Sequence, residues 1–344
     1  MKRKNNLFPS VTDFQNIYNA YRKAKKGKTN KEYVLQYSKN LERNLLNLQE
    51  RLKNQTYQPG KYNSFTIYDP KKRLISCAPF EDRIVHHTIC NIIEPIFEKT
   101  FIETSFANRK GMGTHRAVKL FSKYAENYNY VLQCDIKKYF PSIDHEILKK
   151  FINKKIKDKP LLDLIDKIID NSNEQEKVKD YFSGDTLFTP FERKKGLPIG
   201  NLTSQIFANL YLNELDHLVK EKLNCPYIRY VDDFVLFSNH IKDLNQNLVC
   251  IIEYLDSLRL KLHENKSKIH KTKRGINFLG YKLFPNVIQL KRENIRRFRF
   301  RVVKFTKNEV PFKKVLYSLH SWNGYTKHCT SKIIKRNPML GIAV

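Results

Sequence analysis

The chain has 344 residues, 41% of them hydrophobic, and its 64 Lys and Arg residues against 34 Asp and Glu residues give a net charge of +30. A charge excess of this size indicates a polyanionic partner, of which nucleic acid is the expected one. No run approaches the roughly 18 apolar residues of a membrane-spanning helix, and the six cysteines form no CxxC pair, so we expect no membrane insertion, no structural zinc and a reduced, cytoplasmic setting.

Residues 1 to about 58 are polar and basic with helical periodicity. Four leucines between Leu41 and Leu52 recur at helical spacing, which predicts an amphipathic helix that core packing alone explains. This segment is therefore predicted to be a helical extension without chemistry of its own.

Residues 59 to about 115 change character. The β-branched and aromatic runs Phe65–Tyr68 and Arg73–Ser76 predict two strands joined by a basic turn. Lys71, Lys72 and Arg73 at this turn have the charge that a triphosphate requires. A solvated basic turn is the alternative interpretation.

A short apolar strand, Tyr130–Cys134, leads into Asp135. The residues after Pro141 then predict a helix whose N-cap is Ser142 or Asp144. An acid at the end of a strand is a candidate metal ligand if other acids meet it there.

Residues 158 to 182 are first helical and then charged and loop-like. The Gly196–Gln205 segment that follows is a tight loop of glycine and proline, and it opens a long predicted helix. The buried stripe predicted for this helix comprises Phe207, Leu210, Tyr211, Leu215 and Leu218. Gly200 permits close backbone approach to a ligand, so the loop is a candidate floor beneath a nucleotide base.

Tyr227–Phe237 is an apolar run interrupted by two adjacent acids, Asp232 and Asp233, which predicts a hairpin with both acids at its tip. A bare Asp-Asp pair is more often a solvated turn. A third acid, Asp135, in a matching strand context favours an all-oxygen site for Mg²⁺ instead. Two such ions, about 4 Å apart, would stabilise the attacking and leaving oxygens of a phosphoryl transfer.

From about residue 290 the sequence is strongly basic, with Phe298, Phe300 and Phe305 interleaved among Arg and Lys. Aromatic residues among cations predict a helix that packs on one face and meets phosphates on the other.

Four ordered segments together resemble the palm motifs of a reverse transcriptase: Asp135–Ile143, Gly196–Gly200, Tyr230–Asp233 and Phe278–Tyr281. Lys71–Arg83 and Ser105–Ala117 resemble the fingers motifs of the bacterial branch, which is related to group II introns and retrons. The resemblance covers roughly residues 60 to 290. It implies an RNA-directed DNA polymerase that extends a DNA or RNA primer on an RNA template with dNTPs and Mg²⁺.

The resemblance also implies roles for individual residues. Asp135, Asp232 and Asp233 would be catalytic and hold the metal ions, with the carbonyl of Ile136 assisting. A larger set would contact the nucleotide: Lys71, Lys72, Arg73, Phe140, Ile199, Gly200, Gln205 and Lys266. Among them, Phe140 would be the steric gate that rejects a 2′-hydroxyl. Which of the two lysines at the basic turn contacts the nucleotide stays open. Lys266 resembles the lysine that protonates pyrophosphate, with a solvated lysine as the alternative, and the primer grip would be Phe278, Leu279, Gly280 and Tyr281.

One departure from the common motif makes the sequence similar to a particular branch of the reverse transcriptases. Most reverse transcriptases read Gln-Gly-x-x-x-Ser-Pro in the central loop, whereas Ile199 and Gln205 stand here at the first and last positions. This variant is similar to that of diversity-generating retroelements. Members of that family copy a template-repeat RNA with frequent errors at template adenines for mutagenic homing, and they work with a small basic accessory variability protein.

The sequence therefore predicts an α+β, right-hand polymerase of bacterial or phage origin. We expect an N-terminal helical extension (1–58), fingers with the start of the palm (59–134), a palm (135–289) containing a fingers segment at about 155–195, and a short basic thumb (290–344). A group II intron-like or defence-associated reverse transcriptase is the alternative. A catalytically inactive RNA-binding scaffold is the alternative from another class.

Overall fold

The computed structural model describes residues 2–68, 72–172 and 176–330. Helices combine with antiparallel sheets, so the predicted α+β class is confirmed. The chain divides into two compact units. The first comprises Met1–Glu103, Ile136–Leu218 and Cys250–Leu262, and the second comprises Thr104–Asp135, Val219–Val249 and His263–Val344. These units cut across the four segments predicted from the sequence, and that four-part division stays a prediction.

The first unit begins with the predicted helical extension. Its helices are α1 (Phe8–Val11), α2 (Phe14–Lys25), α3 (Glu32–Lys39) and α4 (Leu41–Lys53). Asp13 caps α2 by accepting a hydrogen bond from the Asn16 amide. The leucine stripe of α4 is buried at Leu45, Leu48 and Leu52, which confirms its packing role.

The basic hairpin follows in the same unit. Strand β1 (Asn63–Ile67) pairs antiparallel with β2 (Arg73–Cys77), as the β-branched and aromatic runs of the sequence predict. Lys71 lies outside the described residues. Helix α5 (Phe80–Glu98) comes next and packs against α2.

The remainder of the first unit is mainly helical. Its helices are α7 (Tyr139–Ser142), α8 (His145–Asn153), α9 (Lys159–Asp170), α10 (Thr189–Glu192), α11 (Leu202–Tyr211) and α12 (Asn213–His217). Asp144 is the N-cap of α8 and accepts hydrogen bonds from the amides of Glu146 and Ile147, so it is the correct one of the two predicted caps. Ser142 instead ends α7.

The prediction of one long helix after the glycine-proline loop is wrong, because the segment forms three shorter helical elements. Helix α11 ends at Tyr211, α12 begins at Asn213, and a π-helical turn follows at Leu218–Lys222. The side chains of Asn213 and His217 both hydrogen-bond to Thr100, so tertiary contacts override local helix propensity here. The predicted stripe is otherwise buried, except that Leu218 is only half-buried.

The second unit is built on a four-stranded antiparallel sheet in the order β4-β5-β3-β6. The strands are β3 (Tyr130–Asp135), β4 (Tyr227–Tyr230), β5 (Asp233–Ser238) and β6 (Lys268–Lys271). A second antiparallel sheet follows, made of β7 (Ile276–Phe278), β8 (Tyr281–Phe284) and β9 (Val287–Leu290). The helices are α6 (Thr114–Asn127), α14 (Arg292–Thr306) and α15 (Phe312–Thr326), while α13 (Ile241–Ser257) begins in this unit.

The core of the second unit joins both sheets through α6. Phe121 of α6 contacts Phe237 edge-on at 5.0 Å between ring centroids and stacks on Phe278 at 5.5 Å. Phe298 and Trp322 stack at 4.2 Å and extend this core to the last two helices. The basic segment after residue 290 therefore begins with a helix, as predicted, and this helix buries Phe298 while Phe300 is exposed.

None of the helices in residues 2–68, 72–172 and 176–330 combines the length and apolar character that crossing a bilayer requires.

Candidate active site

The two adjacent aspartates lie at the tip of the β4–β5 hairpin, as predicted. Tyr230 pairs with Asp233, which leaves Val231 and Asp232 as a two-residue turn. Val231 has φ 59°, a left-handed conformation that a β-branched side chain rarely adopts. The hydroxyls of Tyr230 and Thr114 are 3.2 Å apart, which ties the start of the turn to α6.

Asp135 meets this hairpin through the register of the sheet. It is the last residue of β3 and pairs directly with Asp233, the first residue of β5. Burial first, and then the charges of Asp232 and Asp135, raise the pKa of Asp233 to about 7. The structure thus brings the three predicted acids together at one end of the sheet.

Lys266 reaches the same end of the sheet. Its Nζ lies 2.7 Å from Oδ1 of Asp135, and its positive charge lowers the pKa of Asp233 against the larger upward effects. The amide of His263 donates to the carbonyl of Asp135 at 2.7 Å and fixes the segment that carries this lysine. Lys266 is therefore an exposed side chain that forms an ion pair with an acid, and its role at the leaving group stays a prediction.

The predicted nucleotide-contacting loop lies in the first unit. The Leu197 amide donates to the Phe140 carbonyl at 2.9 Å, and the Ser76 amide donates to the Ile199 carbonyl at 3.1 Å. A Cβ at Gly200, whose φ is 120°, would lie 3.4 Å from Ile75 Cγ2, so strand β2 approaches this glycine closely. The backbone thus joins the Phe140 segment, the central loop and the basic hairpin within this unit.

Other predicted nucleotide contacts in the first unit are placed as follows. Lys72 and Arg73 are exposed, Arg73 being the first residue of β2. Gln205 is half-buried on α11. Ile136 is buried, and its backbone forms an antiparallel bridge with Leu262.

The predicted primer grip is a tight turn between β7 and β8. Phe278 pairs with Tyr281, and the turn residues Leu279 and Gly280 have φ 48° and 86°. The Gly280 carbonyl accepts hydrogen bonds from the Asn294 side chain at 3.0 Å and from the Lys291 amide at 3.2 Å. The start of α14 therefore anchors this turn.

Sequence reasoning missed two side chains that hold these turns, Asn294 and Arg229. Arg229 is fully buried in β4, and its Nη1 donates to the Val231 carbonyl at 3.1 Å. A cation in an otherwise apolar strand is the signal that could have identified Arg229, because a buried guanidinium requires partners. Nothing comparable marks Asn294 in the sequence.

Comparison with known proteins decides the family. Residues 61–283 match the family profile described as reverse transcriptase (RNA-dependent DNA polymerase). The chain belongs to the reverse transcriptase family. Membership of this family makes the chain an RNA-directed DNA polymerase, which confirms the enzyme class predicted from the sequence.

Two relatives and one solved structure illustrate the similarity. Protein YkfC of Escherichia coli (strain K12) is 25% identical over 281 residues, which cover 69% of this chain and 70% of that protein. The group II intron-encoded protein LtrA of Lactococcus lactis subsp. cremoris is 29% identical over 173 residues, 49% of this chain but only 27% of LtrA. A structure of telomerase from Candida albicans in complex with a fragment of telomeric RNA is similar over 68% of this chain and 45% of that one, at a TM-score of 0.47 and 15% identity.

Reverse transcriptase domains generally use divalent metal ions, and the acids of this reverse transcriptase have suitable donor atoms. Carboxylate oxygens are the ligands that Mg²⁺ prefers. Burial, and then the charges of Asp232 and Asp135, raise the pKa of Asp233, so a cation bound beside it would favour its ionised form. Across residues 2–68, 72–172 and 176–330, however, no three His, Cys, Asp or Glu side chains are arranged to hold a metal ion. Lys266 contacts Oδ1 of Asp135, so its ammonium group offsets part of the negative charge at this carboxylate.

Proposed function

We propose that this reverse transcriptase extends a DNA or RNA primer on an RNA template, adding dNTPs by a phosphoryl transfer that uses two Mg²⁺ ions. The observation that carries the proposal is the direct pairing of Asp135 with Asp233 across neighbouring strands, with Asp232 in the adjoining turn. Like charges so close together are costly unless a cation or a proton compensates them. A net charge of +30 suits the nucleic acid substrate.

The acids and Lys266 would carry the chemistry. Asp135, Asp232 and Asp233 would hold the ions, with the carbonyl of Ile136 as a further oxygen ligand. Bound Mg²⁺ would offset the negative charge that develops on the transferred phosphoryl group. Lys266, an ammonium group beside Asp135, would hold the proton that the pyrophosphate leaving group takes up.

The nucleotide would be selected by residues of the first unit. Phe140 would pack under the sugar and reject a 2′-hydroxyl. Arg73, with Lys71 or Lys72, would offset the triphosphate charge. Gly200 would let the base approach the backbone, and Gln205 would contact the nucleotide from α11.

The primer would be held by the second sheet. Phe278, Leu279, Gly280 and Tyr281 would position its 3′ end as the primer grip. Support for this role comes from the Gly280 carbonyl, which accepts hydrogen bonds from the Asn294 side chain and the Lys291 amide.

We further propose that the protein belongs to the diversity-generating retroelement type and that it copies template-repeat RNA with errors at adenines. The support is Ile199, whose side chain has no hydrogen-bonding group where most family members have Gln, together with Gln205 in place of Pro. Weaker positioning by about 1.4 kcal/mol corresponds to about tenfold more errors. A small basic accessory variability protein would be its partner.

A second candidate function is favoured by the relatives. LtrA is a group II intron-encoded protein, and its similarity to this chain agrees equally with an intron-type or defence-associated reverse transcriptase. Faithful copying of RNA would be expected from this type. An inactive RNA-binding scaffold is the least supported alternative, because binding RNA does not require three clustered acids.

The test is Mg²⁺-dependent dNTP incorporation on a primed RNA template, with the cDNA sequenced and Asp232→Asn as the blank. Both proposals are supported if the Asp232→Asn variant loses incorporation and the wild-type protein makes errors opposite template adenine. Faithful incorporation supports the second candidate instead. Absence of incorporation, even with native RNA and the accessory protein supplied, supports the scaffold.

Ile199→Gln separates the two polymerase candidates further. We expect fewer adenine errors at a similar incorporation rate, because the amide restores hydrogen bonds to the nucleotide. An unchanged error spectrum would contradict the role given to Ile199.

A further inference from the structure

Arg229 is among the largest side chains of this chain that are completely buried. It lies in β4, one residue before the Tyr230–Asp233 hairpin tip, and its guanidinium donates to the Val231 carbonyl at 3.1 Å. A buried guanidinium is costly unless its donors are satisfied, so this contact is unlike a surface hydrogen bond that water can replace.

The backbone that carries this guanidinium is fixed on both edges. The Arg229 amide donates to the Thr104 carbonyl, and the Arg229 carbonyl accepts from the Phe106 amide, each at 3.0 Å. On the other edge, Arg229 pairs with Phe234 of β5. The side chain therefore extends from a rigid base toward the turn.

The turn between β4 and β5 contains a residue in an unfavourable backbone conformation. Val231 has φ 59°, whereas glycine is the residue that two-residue hairpin turns favour where φ is positive. A valine in this conformation persists only when its surroundings hold it there. The carbonyl that Arg229 holds belongs to this strained residue and precedes Asp232 directly.

We propose that Arg229 is a positioning residue of the polymerase: by holding the Val231 carbonyl it maintains the strained turn and so fixes the directions of Asp232 and Asp233. This inference rests on the proposed function, in which these two acids hold the metal ions. It predicts that Arg229 acts on the chemical step through Val231. It also predicts that a residue which accepts positive φ without strain makes Arg229 less necessary.

The experiment is a double-mutant cycle of Arg229→Lys and Val231→Gly, followed by steady-state dNTP incorporation on primed RNA. We expect Arg229→Lys to lower kcat about ten- to a hundredfold with KM changed less than about threefold, since small misplacements of catalytic groups have effects of this size. The kcat of Val231→Gly alone is the reference for the second background. In the Val231→Gly background, Arg229→Lys should lower kcat less than about threefold, a coupling that independent sites do not have.

Three results would overturn the proposal. Equal losses of kcat in both backgrounds would mean that Arg229 acts independently of the turn. A change in KM alone would mean that it serves substrate binding. Failure of Arg229→Lys to fold in either background, seen as loss of the cooperative thermal transition, would mean that it serves the fold.

Asp232→Asn, assayed in parallel, separates this inference from the function on which it rests. If that variant keeps wild-type incorporation, the proposed function of the acids is wrong. If it is inactive while the cycle has no coupling, only the positioning role of Arg229 is wrong.

Discussion

Replacing Asp233 with Asn should stabilise the metal-free protein at neutral pH while abolishing polymerisation. Burial and two neighbouring carboxylates raise the pKa of Asp233 from 3.8 to about 7. A carboxyl whose folded pKa is raised stabilises the fold fully below its unfolded pKa, and this contribution is lost as pH rises through the folded pKa. The wild-type protein therefore loses stability between about pH 4 and pH 7, and Asp233→Asn avoids that loss because an amide does not ionise.

The magnitude follows from the two pKa values. At about 1.4 kcal/mol per pH unit, the difference between 3.8 and about 7 corresponds to an upper limit of about 4 kcal/mol. Because Asp135 and Lys266 can readjust, we expect about 2–4 kcal/mol in the free energy of unfolding. An unfolding entropy of about 2.1 cal/mol/K per residue converts this to about 3–6 °C in Tm for a chain of 344 residues.

The assay is thermal unfolding in chelator at about pH 8 and about pH 4.5, with Glu264→Gln as the control. Glu264 is an exposed acid of the same unit, so its replacement removes one negative charge that is not buried. We expect Asp233→Asn to raise Tm at the higher pH and to have little effect at the lower pH. Mg²⁺ should raise the Tm of the wild type more than that of Asp233→Asn. An Asn variant no more stable than the wild type at the higher pH would refute the electrostatic reasoning.

Three further predictions concern other parts of the site. Phe140→Ala should increase incorporation of ribonucleotides relative to dNTPs by removing the steric gate; an unchanged ratio in competition assays would exclude that role. Lys266→Gln should slow single-turnover incorporation and move the rising limb of its pH profile to higher pH. The Lys266 charge lowers the pKa of Asp233, so its removal raises that pKa. An unchanged pH profile would contradict this. Gly280→Ala should destabilise the protein by about 1–2 kcal/mol, since its φ is 86° and the new Cβ would lie 3.3 Å from Asn294 Nδ2. Gly324→Ala is the matched control for the melting experiment, because a Cβ on that helical glycine meets no heavy atom within 4 Å, and equal effects of the two changes would refute the steric reasoning.

Most of the predictions that the structure confirms came from local sequence patterns. The strand into Asp135, the hairpin at Asp232 and the stripe of α4 each depend on neighbouring residues and a fixed period. The cap at Asp144 follows from the same local chemistry. These elements formed as predicted because tertiary contacts reinforced the local preference.

Long-range pairing set the features that the sequence could not reveal. At the break between α11 and α12, the side chain of Asn213 contacts Thr100, which is far from it in the sequence. The parallel bridge between Ser105 and Arg229 brings a segment that resembles a fingers motif to the edge strand β4. The pairing of Lys266 with Asp135 likewise depends on the register of β6 beside β3, which no local period encodes.

The cluster of acids also bears on the choice between a polymerase and a scaffold. If Asp233→Asn stabilises the protein as expected, the natural residue weakens the fold, and that weakness needs a functional explanation. A protein that only binds RNA gains nothing from buried acids whose negative charge opposes phosphate. A polymerase gains the site that attracts divalent ions, so the same acids that destabilise the metal-free fold become favourable when metal binds. Greater stability together with lost incorporation in one variant would therefore favour catalysis, whereas greater stability with unchanged RNA binding and no activity in the wild type would favour the scaffold.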